Sequence, residues 1–241
     1  MQKESSQEAK YGLPYHYSYS EKNVTGIIYF SYLRKAADAL FARAPGRALD
    51  AGCGDARFIA YLRERDQSFP VEGLDYSESA LVFARFYNPG NAFTHASVES
   101  MPFPDRSFDA VSLIEVIEHM EPDKLSGVLA ECKRILTEKG VIVITTPSLN
   151  ERKMSRAHYQ HFSKESLERY LEEAGLRLIH IEGNYKLSRL QIVCQGLMQN
   201  RFFDIRYEPL IRLYRRAFKR FWETCSVDRG RRLIAVAGYA S

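Results

Sequence analysis

Two acids and two glycines carry the first piece of chemistry. Asp50, Gly52 and Gly54 stand in the order Asp-Ala51-Gly-Cys-Gly at the end of a short apolar run, and Asp75 ends the next such run. A glycine turn after a strand lets a ligand approach the backbone, and the helix that follows offers it unpaired N–H groups. A carboxylate at the end of the neighbouring strand accepts both hydroxyls of a ribose. A glycine turn followed by an acid also suits a dinucleotide. Here, however, Asp50 stands where a pyrophosphate would sit; it repels phosphate and attracts an ammonium group. The pattern predicts a ligand that joins a nucleoside to an amino acid and carries no phosphate.

A second cluster ends a later apolar run as Glu115-Val-Ile-Glu118-His119, and His158 and His161 follow the run after it. Two readings fit. In one, Glu115, Glu118, His119 and His158 are mixed oxygen and nitrogen ligands of a divalent ion such as Mg²⁺, Mn²⁺ or Zn²⁺. In the other no metal is needed: Glu115 lines the ligand cavity and His158 or His119 is a general base, as suits an imidazole titrating near neutrality. His16, flanked by Tyr15 and Tyr17, either lines a substrate mouth with them or packs a lid.

These residues need a scaffold that gathers strand ends. Strands are expected at 47–54, 71–75, 91–97, 107–116 and 141–146. Helices are expected between them at 56–66, 77–88 and 123–136, the last closed by Lys139-Gly140. Such alternation means βαβ units and a parallel sheet buried on both faces. A helix at 24–43 precedes them. A helix at 163–175, a strand at 176–183 and a last strand at 232–240 follow, with the long stretch 184–230 before that last strand. The fold class is α/β.

The 241 residues carry a net charge of +4 and are 45% hydrophobic, an ordinary globular balance too weakly basic to argue for nucleic acid. The four cysteines form no Cys-x-x-Cys pair, which suits a reducing compartment. The first ten residues, MQKESSQEAK, lack the apolar core of a signal peptide, and no apolar run approaches the ~20 residues of a membrane span. A cytoplasmic protein is expected.

Four segments carry a family resemblance. LDAGCGDARF resembles motif I of class I S-adenosylmethionine (SAM)-dependent methyltransferases, and GLDYSESAL resembles the acidic segment after it. VESMPFPDRSFDAVSLIEVIEH resembles the stretch from the third strand through the fourth, and ECKRILTEKGVIVITTP the helix and fifth strand. They lie in order across residues 47–147, and four motifs in register are far more specific than one. The resemblance implies a Rossmann-like doubly wound sheet, mostly parallel with an antiparallel last strand. It also implies an N-terminal helical lid (residues 1–45) on a SAM-binding domain (46–241), with a helical insertion at 184–230. SAM would be the cofactor and S-adenosylhomocysteine the product left behind. Asp50, Gly52 and Gly54 would hold the methionine end, with Ala51 among the cofactor-binding residues. Asp75 would take the ribose hydroxyls, Tyr76 would lie beside the adenine, Ser97 and Val98 would edge its ring, and Glu115 would sit under the sulfonium. Two positions depart from the family: Ala56 replaces a frequent third glycine, and Ser97 an aspartate that reads the adenine amino group in many relatives.

The Glu-x-x-Glu-His segment with a later histidine is similar to that of small-RNA 2′-O-methyltransferases and of ubiquinone-biosynthesis O-methyltransferases. The implied activity is O-methylation of a small-molecule or lipid-linked acceptor. The alternatives are metal-assisted RNA 2′-O-methylation and SAM binding without catalysis. The segment 207–222 reads as an amphipathic helix with Leu210, Ile211, Tyr214, Phe218 and Phe221 on one side and Arg212, Arg215, Arg216, Lys219 and Arg220 among its cations. It is a cap packed on the sheet or on a second subunit, a helix lying on a membrane surface, or a nucleic-acid face. No RNA-binding module is recognisable, so a nucleic-acid partner is not expected. The chain is expected to be a monomer or a homodimer.

Overall fold

Every strand named above forms, and the computed structural model, which describes residues 12–151, 153–200 and 204–240, joins them in one sheet. The strands are β1 (Ala48–Ala51), β2 (Val71–Asp75), β3 (Phe93–His95), β4 (Phe108–Ile114), β5 (Leu136–Pro147), β6 (Leu176–Lys186), β7 (Thr224–Cys225) and β8 (Gly230–Tyr239). The eight-stranded order is β3-β2-β1-β4-β5-β8-β6-β7. Neighbours from β3 through β5 pair in parallel, while β8 lies antiparallel between β5 and β6, and β7 is antiparallel to β6. The chain moves outward in opposite directions from β1 and β4. The loops after these two strands therefore diverge and leave a crevice at their carboxyl ends. Because β8 runs the other way, its first residues reach that same edge, where Arg232 pairs with Pro147 of β5.

The helices are α1 (Val24–Phe41), α2 (Arg57–Arg65), α3 (Glu78–Tyr87), α4 (Pro122–Ile135), α5 (Lys164–Glu173), α6 (Arg189–Met198) and α7 (Glu208–Phe221). Successive strand residues face opposite sides. Val111 and Ile142 meet Val128 and Leu129 of α4 and Leu167 of α5, whereas Ala110 and Val143 meet Leu33 of α1, Ile59 of α2 and Leu81 of α3. Helix starts are set by side chains that accept orphan backbone N–H groups: Asn23 from Gly26, Ser77 from Ala80, and Ser163 from Ser166 in a reciprocal box.

A third apolar cluster joins the insertion to the lid helix. Ile211, Tyr214, Phe218 and Trp222 of α7 and its C-terminal end pack with Val24 and Ile27 of α1. Leu210 and Phe221, expected on that stripe, are 37% and 59% exposed. The buried arc is narrower and faces α1, Tyr185 of β6 and Met198 of α6. Helix α6 was not anticipated. Its buried side includes Gln191, which reads as polar but bonds the hydroxyls of Tyr185 and Tyr214, each at 3.3 Å. Helix α4 ends at Ile135, before the Lys139-Gly140 expected to close it, because Leu136 is already extended and paired with Phe108.

Candidate active site

The end of β1 and the end of β2 form one unit. The chain leaves Ala51 and turns through Gly52 (φ +77°) and Gly54 (φ +54°). Only glycine fits the first position well, since a Cβ on Gly52 would lie 2.7 Å from Cγ2 of Val116. The N–H groups of Gly52 and Cys53 both donate to the carbonyl of Leu74, at 2.7 and 2.9 Å. Gly54 donates to Oδ2 of Asp75 at 2.8 Å, and Oδ1 of Asp75 accepts from the N–H of Ser77 at 2.9 Å. The acid of β2 therefore shapes the glycine turn of β1. Ala56, where relatives often have glycine, takes the same left-handed conformation (φ +59°) at a cost of roughly 1–2 kcal/mol.

Asp50 is buried, and its Oδ1 accepts from Oγ of Ser112 at 2.7 Å. Burial pushes its carboxyl up to about 7; the Ser112 hydroxyl opposes this and the charge of Asp75 adds to it. A cationic group placed beside it would favour the ionised form. Asp50, Gly52, Gly54, Asp75, Tyr76, Ser97 and Val98 all line a cavity of about 580 Å³. Ala51 does not line it and is fully buried in the core.

Glu115, Glu118, His119 and His158 line the same cavity. Glu115 sits at the tip of β4 with φ +56°, a strained conformation for a residue with a Cβ. Its Oε1 accepts from Oγ1 of Thr145 at 3.1 Å and its Oε2 from Nε of Arg232 at 2.7 Å. Arg232 also reaches Glu151, at 3.3 Å, and lies over the ring of Tyr32. This arginine was not anticipated. The signal was present in the Arg231-Arg232 pair that opens an apolar strand, but only the antiparallel direction of β8 brings it to the ligand edge.

Ligand atoms of Glu118, His119 and His158 all lie within 4.8 Å of one another. Nδ1 of His119 is 3.0 Å from the carbonyl of Ala157. A carbonyl only accepts, so Nδ1 carries a hydrogen, and in the neutral ring Nε2 holds the lone pair. Nδ1 of His158 is 3.1 Å from Nε2 of His161, and the rings of His119 and His158 meet edge to face at 4.8 Å. Burial, reinforced by the charge of Glu115, raises the carboxyl of Glu118 well above the usual range. Burial and then Arg232 lower the imidazole of His161, with Glu115 opposing. One carboxylate and two imidazoles are donor types that a divalent transition ion accepts. Glu115 lies outside that group, and the guanidinium beside it opposes a cation there.

The lead-in to α1 covers the cavity. Tyr15, His16 and Tyr19 line it, and His16 meets the buried Asp55 through its backbone N–H (3.2 Å) and Nδ1 (2.9 Å). Tyr17 is not a lining residue. It stacks on Tyr87 at 3.9 Å, and its hydroxyl accepts from Asn88 at 3.0 Å.

Comparison with known proteins agrees with this geometry. A family model described as a methyltransferase domain matches residues 49–144. A probable S-adenosylmethionine-dependent methyltransferase of Mycolicibacterium smegmatis is 27% identical over 172 residues, 66% of this chain and 64% of that protein. A malonyl-acyl-carrier-protein O-methyltransferase of Enterobacter lignolyticus is 32% identical over 173 residues, again 66% of this chain and 64% of the relative. The matched region thus spans just under two thirds of each relative's length. A SAM-dependent methyltransferase from Archaeoglobus fulgidus shares the fold, with a TM-score of 0.60 over 86% of this chain and 93% of that one at 19% identity.

Proposed function

The chain belongs to the class I SAM-dependent methyltransferase superfamily, and on that premise we propose that it moves a methyl group from SAM to an oxygen of a small-molecule or lipid-linked acceptor. The observation that carries this reading is the bond from Gly54 to Asp75, which holds the glycine turn and the ribose acid in one frame. In it, Asp50 faces the ammonium of SAM, Asp75 the ribose hydroxyls, Tyr76 the adenine face, and Ser97 and Val98 its edge. Glu115 faces the sulfonium side of the cavity.

The sulfonium is already a good leaving group, so the protein must align acceptor oxygen, methyl carbon and sulfur and keep water out. Tyr15, His16 and Tyr19 close the cavity over the site. His119, with its lone pair on Nε2, takes the proton of the acceptor hydroxyl as the C–O bond forms and the C–S bond breaks. His158, paired with His161, is the alternative base. The O-methyltransferase named above supports an oxygen acceptor. A lipid-linked acceptor is supported by exposed Leu213 on α7, between Arg212 and Arg216, and by exposed Leu190 and Leu197 on α6, apolar and cationic groups suited to peripheral contact with an anionic bilayer. The four cysteines are all free, in keeping with a cytoplasmic setting.

The test has two stages. Calorimetric titration with S-adenosylhomocysteine should show binding at micromolar levels. Labelled methyl transfer should then reach hydroxyl acceptors and fall in His119→Ala or His158→Ala. Transfer to amines alone, with both variants at the wild-type rate, would rule out the oxygen assignment.

The grouping of Glu118, His119 and His158 also favours a metal-assisted variant of this reaction. Those three residues would hold the ion, and an ion there lowers the pKa of a coordinated acceptor hydroxyl. Glu118, raised as it is, must release its proton to ligate. Activity unchanged by chelator and by added Mn²⁺ would remove this variant.

A further inference from the structure

A second cavity opens on the same edge of the sheet. Its volume is about 510 Å³ and it is lined by Asn150, Lys186, Leu187, Ser188, Arg229 and Arg231. Three of the six residues are cations and none is an acid. Lys186 ends β6, Arg229 and Arg231 flank the start of β8, and Asn150 follows β5, so three separate strand ends converge on it.

The charge here is in surplus. Among the described residues, neither Lys186 nor Arg229 forms an ion pair. Arg231 is bound to Glu151 through Nη2, but Glu151 is shared with Arg232. The Nε of Arg231 is buried and has no hydrogen-bond partner among the described residues. A buried donor without an acceptor is a cost to the fold, and it leaves the guanidinium of Arg231 incompletely satisfied by its own chain. Burial, and next to it the charge of Arg232, hold the guanidinium of Arg231 below its ordinary pKa, a second cost that a nearby anion relieves. Helix α6 starts at the wall: Ser188, its N-cap, accepts from the N–H of Gln191 at 3.1 Å, so the positive end of the helix adds to the field.

We propose that this second cavity binds a phosphate group, and that the group belongs to the methyl acceptor. The second half of this assignment rests on the methyltransferase reading. The first half does not. A phosphate presents several oxygens to cations arriving from different strands, and a group with two negative charges matches three cations better than a single carboxylate does. A run of ion pairs, Glu115–Arg232–Glu151–Arg231, links residues that line the first cavity to one that lines the second. A phosphate in the second cavity therefore fixes the acceptor beside the base and the sulfonium without entering the SAM site, from which Asp50 repels it.

The experiment titrates two probes into the full chain saturated with S-adenosylhomocysteine. One is sodium pyrophosphate. The other is phosphatidylcholine vesicles with or without phosphatidic acid. Binding should be measurable for one probe or both, weaken with salt, and fall by about tenfold or more in the Lys186→Gln/Arg229→Gln double variant, as loss of charge-assisted bonds implies. The affinity for S-adenosylhomocysteine should stay unchanged and so report an intact fold. Binding to pyrophosphate identifies a soluble phosphate ester as the source, and binding only to phosphatidic acid a lipid headgroup. Binding of neither probe, or binding undiminished in the double variant, overturns the proposal. Failure of S-adenosylhomocysteine to bind would count instead against the methyltransferase reading, and the pyrophosphate titration would still decide the cavity.

Discussion

Nε of Arg232 lies 2.7 Å from Oε2 of Glu115, although the two residues are 117 positions apart. The pair joins the first residues of β8 to the tip of β4, and it exists because an antiparallel strand lies between two that run the other way. It ties down Glu115, whose backbone is left-handed, at the wall of the larger cavity. It also takes up the acid that the sequence reading had offered as a metal ligand.

Removing Arg232 should therefore cost more than a surface charge would. Arg232→Met leaves Glu115 and Glu151 without their shared cation and is expected to destabilise the chain by about 3 kcal/mol. This is the low end for a broken buried pair, since the cavity keeps the guanidinium partly wet. Glu115→Gln/Arg232→Met should lose less than Arg232→Met alone. Denaturant unfolding of the three proteins measures this, and an unchanged midpoint in Arg232→Met would show that the pair contributes nothing.

Asp75 accepts two backbone N–H groups, and in the proposed complex it also takes the ribose. Asp75→Ala should weaken S-adenosylhomocysteine binding by roughly 10- to 100-fold, the worth of one or two charge-assisted hydrogen bonds. It should also lower the melting temperature of the ligand-free protein, because the turn at Gly54 loses its acceptor. Calorimetry and a thermal melt read the two effects separately. Wild-type affinity in this variant would break the link between turn and ligand.

The pH dependence follows from Asp50, whose carboxyl stands at about 7 when folded, well above the value of about 3.9 expected unfolded. Between those values the folded chain holds a proton that the unfolded chain has released. The stability contributed is complete below about pH 4 and is lost as pH rises through about 7. Ligand binding should run the other way. An ammonium beside Asp50 favours the carboxylate, so S-adenosylhomocysteine should bind more tightly as pH rises from about 6 to about 8, with release of a proton. Asp50→Asn should flatten both profiles. Titrations in buffers of different ionisation enthalpy count the proton; finding none would place the shifted group elsewhere.

Gly52 combines a positive φ with a close neighbour, and the two costs can be told apart. Gly52→Ala should destabilise by about 2–4 kcal/mol, from left-handed strain and from overlap with Val116. Adding Val116→Ala should restore part of this, because the overlap disappears and the strain stays. Full recovery in the double variant would mean that the backbone accommodates alanine at this φ.

Much of the fold was legible because each βαβ unit writes its own signal. The apolar run at 141–144 is continuous because the sheet is covered on both faces. Ser77 and Ser163 mark helix starts by the bonds they accept. The glycine turn and Asp75 were legible too, since a tight turn with positive φ leaves few residue types to choose from. Helix α6 was not, because its buried Gln191 lies against the hydroxyls of tyrosines from β6 and α7, and no local pattern shows that.

The order of Asp50, Gly52, Gly54 and Asp75 thus determined by itself the turn after the first strand and the acid that ends the second, because strand, turn and helix are local structures driven by nearby side chains. Only the tertiary structure decided what else meets at that edge of the sheet. Arg232 reaches Glu115, His119 comes within reach of His158, and three cations converge on a second cavity, because strands distant in the chain become neighbours in the sheet. Such neighbours are chosen by burial of the whole core. No short segment of the chain carries that information.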